Sequence, residues 1–169
     1  MQIKYNILYI VLLLFVSSST IIAQADAYTG TWHYVDGNEL FIVSLWQDND
    51  GSFSGYYKKV EYSNGIQGNV IFNSRIIYNN GIIYPPTIYG KLSGNGISGI
   101  ISDNTIEGYV DDSKFGILYL EINNTCNNCP YTAIWKVSER PGLRVGFVPG
   151  FSVPTDVILT KVSNTVDLN

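Results

Sequence analysis

The stretch 116–138, GILYLEINNTCNNCPYTAIWKVS, decides the fold class. On both sides of its Cys126-Asn-Asn-Cys129 corner, apolar residues alternate with other residues, which is typical of two half-buried strands joined by a turn. With a two-residue turn between the cysteines, Leu120 faces Trp135 and Ile122 faces Ala133. One buried face then holds Leu118, Leu120, Ile122, Ala133, Trp135 and Val137.

A second hairpin is predicted directly upstream of this one. Residues 105–110 also alternate, and pairing Ile106 with Ile122 would bring the apolar faces of 105–110 and 116–122 together. The same register places Glu107 directly opposite Glu121, a like-charge pair that Lys136 on the diagonal would neutralise.

Short runs of Ile, Val, Tyr and Thr, broken every eight to twelve residues by Gly, Asn and Asp, extend the pattern over residues 27–162. Asn and Gly accept the positive φ of tight hairpin turns. The pattern predicts one all-β domain, an antiparallel barrel or sandwich. The predicted strands are Gly30–Val35, Glu39–Trp46, Ser52–Tyr62, Asn69–Tyr78, Thr87–Ser93, Ile97–Ser102, Thr105–Val110, Gly116–Ile122, Tyr131–Ser138 and Thr155–Val162, with a short extra piece at Ile82–Tyr84.

Residues 1–25 have the features of a secretory signal peptide. A positive start is followed by ten uncharged residues from Ile7 to Val16 and by a small-x-small site at Ala23-Gln-Ala25. A membrane anchor is the alternative, but it needs about 20 apolar residues, and the serines after Val16 interrupt the run. We therefore expect residues 26–169 to form the exported domain, secreted, periplasmic or on the cell surface.

Charge excludes some partners. The 169-residue chain carries a net charge of −4 and only 14% charged residues, with no basic stripe. A phosphate backbone or an anionic membrane surface would be repelled, so we expect no nucleic-acid partner.

The only two cysteines, Cys126 and Cys129, are expected to form a disulfide, because an exported chain meets an oxidising compartment. A redox pair would need a helix N-terminus, whereas a strand-like run follows. A zinc site would need two further ligands. We expect no metal and no cofactor.

Signs of catalysis are few. His33 is the only imidazole and lies in the first predicted strand. Asp48-Asn-Asp-Gly51 resembles part of a calcium loop, but its glycine comes too early, and aspartate is common in such turns. We expect a protein that is not an enzyme.

Aromatic residues and one long loop are the candidate binding elements. The aromatics either fill the core or form a face that stacks on a ligand. Residues 139–154 are rich in Pro and Gly yet apolar, and they would either close a barrel end or contact a ligand or partner. The candidate ligand-binding residues are Trp32, Tyr34, Trp46, Trp135 and Phe147.

The opening Gly30-Thr-Trp32 resembles the Gly-x-Trp motif of lipocalins and related calycin barrels. The resemblance implies an up-and-down antiparallel barrel of eight to ten strands that often holds a small apolar ligand. It also implies a basic residue over the Trp32 ring, with Lys161, then Arg140 or Arg144, as candidates. The second lipocalin signature, a Thr-Asp pair in a mid-barrel loop, is absent.

The chain also resembles a family of uncharacterised secreted bacterial proteins, a domain of unknown function. The matching residues are Tyr28–Trp32, Gly37–Phe41, Trp135-Lys136, Phe151–Thr155 and Leu159–Lys161. This resemblance implies a bacterial, exported, single β-domain.

Two functions are therefore expected. The first is a non-enzymatic module that binds a small apolar or aromatic ligand or a glycan. The alternative is a cell-surface or exported interaction or inhibitor domain that uses the 139–154 loop. A side-chain-filled interior would favour the second, and an internal void would favour the first. Nothing in the chain indicates the oligomeric state.

Overall fold

The computed structural model describes residues 27–106, 114–123, 129–140 and 150–169. These residues form nine strands and almost no helix. The strands are β1 Gly30–Asp36, β2 Glu39–Gln47, β3 Phe53–Ser63, β4 Ile66–Asn73, β5 Ile88–Ser93, β6 Gly96–Asp103, β7 Lys114–Ile122, β8 Thr132–Glu139 and β9 Asp156–Ser163.

Eight of the strands close into an antiparallel up-and-down barrel, as predicted. Each strand pairs with the next along the ring β1, β2, β3, β5, β6, β7, β8 and β9, and β9 returns to pair with β1. Closure leaves the ring without a free edge.

Strand β4 lies outside the ring because two strands share one side of β3. The first part of β3 pairs with β5, and its second part pairs with β4. The backbone N–H of Ser74 donates to Tyr57 O, and that of Thr87 donates to Gly55 O. Strands β4 and β5 therefore behave as one long strand from which residues 75–86 make an excursion.

The register predicted around the Cys-Asn-Asn-Cys corner is confirmed. Leu120 pairs with Trp135, and Ile122 pairs with Ala133. The predicted face is turned inward: Leu118, Leu120, Ala133, Trp135 and Val137 are buried, and Ile122 packs against them.

The predicted partner of β7 was wrong. Its neighbour is β6, with Ile97 opposite Leu120 and Gly96 opposite Glu121. Residues 104–106 are not a strand, and 107–110, including Glu107, lie outside the described residues. Both upstream segments alternate in the same way, so periodicity alone could not choose between them.

The predicted strand Asn69–Tyr78 was also shifted. Strand β4 starts at Ile66 and ends at Asn73, and Ile77 belongs to a separate bridge with Ile83. The short predicted piece at 82–84 is thus paired, but within the 75–86 excursion.

Paired glycines bring β5 and β6 close together. Gly90 lies opposite Gly99, and a Cβ added to Gly99 would lie 2.1 Å from Tyr89 O. Inward-facing glycines of this kind let strands bend tightly enough to close a small barrel.

Candidate functional site

Two of the predicted ligand-binding residues, Trp32 and Trp135, lie in the barrel interior. Both are fully buried within one apolar cluster. The Trp135 ring meets Phe41 edge-on at 5.8 Å, and its Nε1 donates to Pro154 O at 2.8 Å. These indoles are packed core residues, so neither is exposed to a ligand.

The predicted basic cover of Trp32 is confirmed for Lys161. The two residues pair across β1 and β9, and Lys161 Nζ lies 5.8 Å from the Trp32 ring centroid. The ammonium also donates to Ala27 O at 2.9 Å. This contact closes one end of the barrel next to the buried Tyr28 ring.

Trp46 faces the outside of the barrel. Its ring lies 5.7 Å from that of Tyr56, and its Nε1 donates to Asp48 Oδ1 at 3.0 Å. The Asp48 carboxylate also accepts from Ser54 at 2.5 Å, and that of Asp50 accepts from Ser52. The Asp-Asn-Asp-Gly turn thus satisfies its carboxylates with local donors, the structural role expected of such turns.

The opposite end of the barrel, here called the Asp103 end, is sealed by a buried carboxylate. Asp103 Oδ1 accepts from the Tyr57 hydroxyl at 2.9 Å and the Ser152 hydroxyl at 2.7 Å, and Oδ2 accepts from the Ser152 N–H at 2.7 Å. Thr105 donates both its N–H and its hydroxyl. Burial and the neighbouring Asp103 charge raise the pKa of Tyr57, so the phenol stays a donor.

Lys114 completes the seal directly opposite Asp103. Its buried ammonium lies 2.7 Å from Glu139 Oε1, donates to Gly150 O and sits 4.6 Å from the Phe151 ring centroid. Together, the two buried charged residues hold segment 150–153 across the barrel end. This part of the predicted 139–154 loop closes the barrel, while its residues 141–149, including Phe147, lie outside the described residues.

Tyr34 borders an open cleft outside this seal. The cleft has a volume of about 300 Å³ and is lined by Tyr34, Asp36, Lys59 and residues 152–157. Lys59 is paired with Glu39 at 2.8 Å. Of the predicted ligand-binding residues that are described, Tyr34 is the one on this cleft.

The excursion 75–86 forms a small β-hairpin with an unusual surface, here called the apolar hairpin. It contains the repeated triplet Ile76-Ile-Tyr78 and Ile82-Ile-Tyr84 around an Asn-Asn-Gly turn. The N–H of Tyr78 donates to Ile82 O, and that of Tyr84 donates to Ile76 O. All four isoleucines are exposed.

The apolar hairpin is anchored at its base. The Tyr56 hydroxyl donates to Tyr84 O at 2.6 Å, and the Thr87 hydroxyl donates to Ser74 Oγ at 3.0 Å. Isolated two-stranded hairpins are marginally stable in water, so these contacts with the barrel help to stabilise the apolar hairpin.

Neither the buried Asp103 and Lys114 at the Asp103 end nor the residues of the apolar hairpin were predicted to be functional. The repeated Ile-Ile-Tyr triplet could have predicted the hairpin, because two apolar runs on either side of an Asn-Asn-Gly turn are typical of a β-hairpin with apolar residues on both faces. Asp103 offered no such signal, since it resembles an ordinary turn aspartate.

His33 faces outward beside the C-terminal residues. Asp167 there binds Lys58 Nζ at 2.8 Å and accepts through its backbone O from Ser44 Oγ at 2.6 Å. Burial lowers the pKa of the imidazole. Within the described residues, no group of three or more His, Cys, Asp or Glu is placed to hold a metal.

Among the described residues, none of the helical segments has the length and apolar character needed to cross a bilayer.

A scan against protein-family models, a search of curated proteins and a search of solved structures each found no match.

Proposed function

We propose that this protein is an exported, non-catalytic interaction domain that binds a protein partner through its apolar hairpin. The observation that carries the proposal is the distribution of apolar side chains between the interior and the surface of the barrel. Trp32, Trp135 and Phe41 fill the barrel interior, while the isoleucines of the hairpin are on the surface. Exposed apolar clusters on a stable scaffold are typical of contact sites.

The hairpin is a better contact element than the 139–154 loop. Ser152 and Gly150 are bound to Asp103 and Lys114, so this part of the loop is committed to the barrel. The hairpin, by contrast, is hydrogen-bonded to the barrel at its base, and its four isoleucines are exposed. Its polar Asn-Asn-Gly tip disfavours insertion into a lipid bilayer, because the tip would enter the apolar layer first.

Photo-crosslinking tests the proposal. A photoreactive phenylalanine analogue replaces Ile77, and in the control it replaces Ile158 on β9, which is equally exposed at 57%. We expect irradiation in the producing cells to give discrete adducts from position 77 and none from position 158. Equal labelling at both positions, or no adduct at position 77, would contradict the proposal.

Small-ligand or glycan binding is the second candidate, and the cleft beside Tyr34 favours it. Its volume of about 300 Å³ is at the lower limit of known ligand pockets. Its walls combine the Tyr34 ring with Val153 and Val157 and carry polar groups from Asp36 and Lys59. Such a lining suits a small molecule with an aromatic or apolar body and a polar end.

Export and the disulfide belong to the same proposal. The signal segment and Cys126 lie outside the described residues. The described part of the β7–β8 ladder, which reaches the bond from Asn123 N–H to Thr132 O, has the register on which the disulfide was predicted. We expect native and intact mass spectra of the purified protein to show a start at Ala25 or Asp26 and a mass two hydrogens below the dithiol form. A retained residue 1 or free thiols would contradict these expectations, and a co-purifying small mass would support the cleft.

A further inference from the structure

We propose that the partner of the apolar hairpin is a second copy of this chain, in a two-fold dimer; the inference rests on the proposed function. The surface concerned, here called the apolar edge, combines the hairpin with the outer side of β4. Its exposed side chains are Ile66, Val70, Ile71, Ile76, Ile77, Tyr78, Ile82 and Ile83.

Strand β4 gives this edge an open backbone. It pairs with β3 on one side and, unlike the eight strands of the ring, has no described strand on the other. Its sequence contains no Lys and no Pro, which natural edge strands often use to block pairing with another chain. Its ladder with β3 does contain two register shifts, so the backbone that is open to a partner lies in the regular stretches on either side of them. Main-chain groups along such an edge can add a strand from a partner.

The hairpin offers further backbone groups of the same kind. Ile77 and Ile83 form an antiparallel pair flanked by the two hydrogen bonds of the hairpin. Residues in such a non-hydrogen-bonded pair direct their own N–H and C=O groups toward the outer edges. The hairpin can therefore also accept a partner strand.

Charge favours a copy of the chain as the occupant. Arg75 is the only charged residue between Ile66 and Tyr84. It is half-buried at the hairpin base, where it lines a crevice with Tyr56 and Asp167. A strongly charged partner would find no complementary group on the apolar edge. Two copies of this negatively charged chain can instead meet on an uncharged surface without bringing like charges together.

The area fits a small two-fold interface. The exposed parts of these eight residues amount to roughly 800 Å², about what one partner contributes to a standard interface, but adjacent residues of a strand face opposite sides. A single face, such as the one that carries Ile77 and Ile83, therefore offers about half of this area, which matches the largest apolar patch of a typical monomer, about 300–600 Å². A two-fold axis is sufficient to cover such a surface, because the same patch then serves both partners.

Sedimentation velocity of the purified protein from about 1 to 100 µM, a range suited to interfaces of this size, tests the inference. We expect the wild type to form dimers. Ile77→Lys should raise the dimer dissociation constant at least about tenfold, since a buried charge has no partner there. The matched control Ile158→Lys, equally exposed on β9, should sediment as the wild type does. Circular dichroism should show that both variants are folded.

The outcomes separate this inference from the proposed function. A wild-type monomer over the whole range, or a dimer that Ile77→Lys and Ile158→Lys affect equally, overturns self-association. Adducts from position 77 with a different protein leave the interaction function standing and also overturn self-association. Adducts between two copies support both proposals, and an absence of adducts at position 77 removes both.

Discussion

Trp135→Ala is expected to lower the free energy of unfolding by about 3–5 kcal/mol, the usual cost of removing a large buried aromatic side chain. The Trp135 indole is fully buried within the apolar cluster. Its removal leaves a cavity next to Phe41 and deprives Pro154 O of its donor. Urea unfolding followed by circular dichroism measures the loss.

Trp46→Ala is the matched control, because it removes the same side chain from the outer face. Trp46 is only half-buried and packs on one ring, that of Tyr56. We expect a clearly smaller loss of stability. Equal losses in the two variants would contradict a core in which Trp135 is a packed interior residue.

Asp103→Ala is expected to cost a similar amount, about 3–5 kcal/mol, for an electrostatic reason. The carboxylate is fully buried and is the common acceptor for Tyr57, Thr105 and Ser152. Without it, the hydroxyls of these three residues and the Ser152 N–H lose their shared acceptor at the barrel end. Asp156→Ala, an exposed aspartate at the same barrel end, should leave stability nearly unchanged.

Amide hydrogen exchange gives a second measure of how firmly Asp103 holds Ser152 at the Asp103 end. Ser152 N–H donates to Asp103 Oδ2, so we expect its amide to exchange faster in Asp103→Ala, ahead of global unfolding. Asp103→Asn keeps one acceptor oxygen but turns an amide donor toward the same cluster, and an intermediate effect follows. Unchanged exchange at Ser152 would contradict a seal held by this carboxylate.

Several features of the fold could be predicted because they depend on neighbours along the chain. The β7–β8 register follows from one short corner and strict alternation on both sides of it. The contact between Lys161 and Trp32 was also anticipated, through the resemblance of Gly30-Thr-Trp32 to the lipocalin opening.

The direction of some aromatic side chains could not be predicted. Strand β2 reads ELFIVSLWQ, so apolar residues occupy both of its faces and alternation gives no preference. Phe41, Val43 and Leu45 point inward, while Trp46 points out against Tyr56. The described members of the predicted ligand-binding set are therefore divided between the core, the cleft and the outer surface.

The all-β class, most strand positions, the turns and the register at the Cys-Asn-Asn-Cys corner can be read from local patterns, because each depends on residues within one hairpin. The closure of β9 on β1, the pairing of β7 with β6 instead of 105–110, and the burial of Asp103 become known only from the folded barrel. These features depend on contacts between residues far apart in the chain, where local periodicity carries no information about the partner.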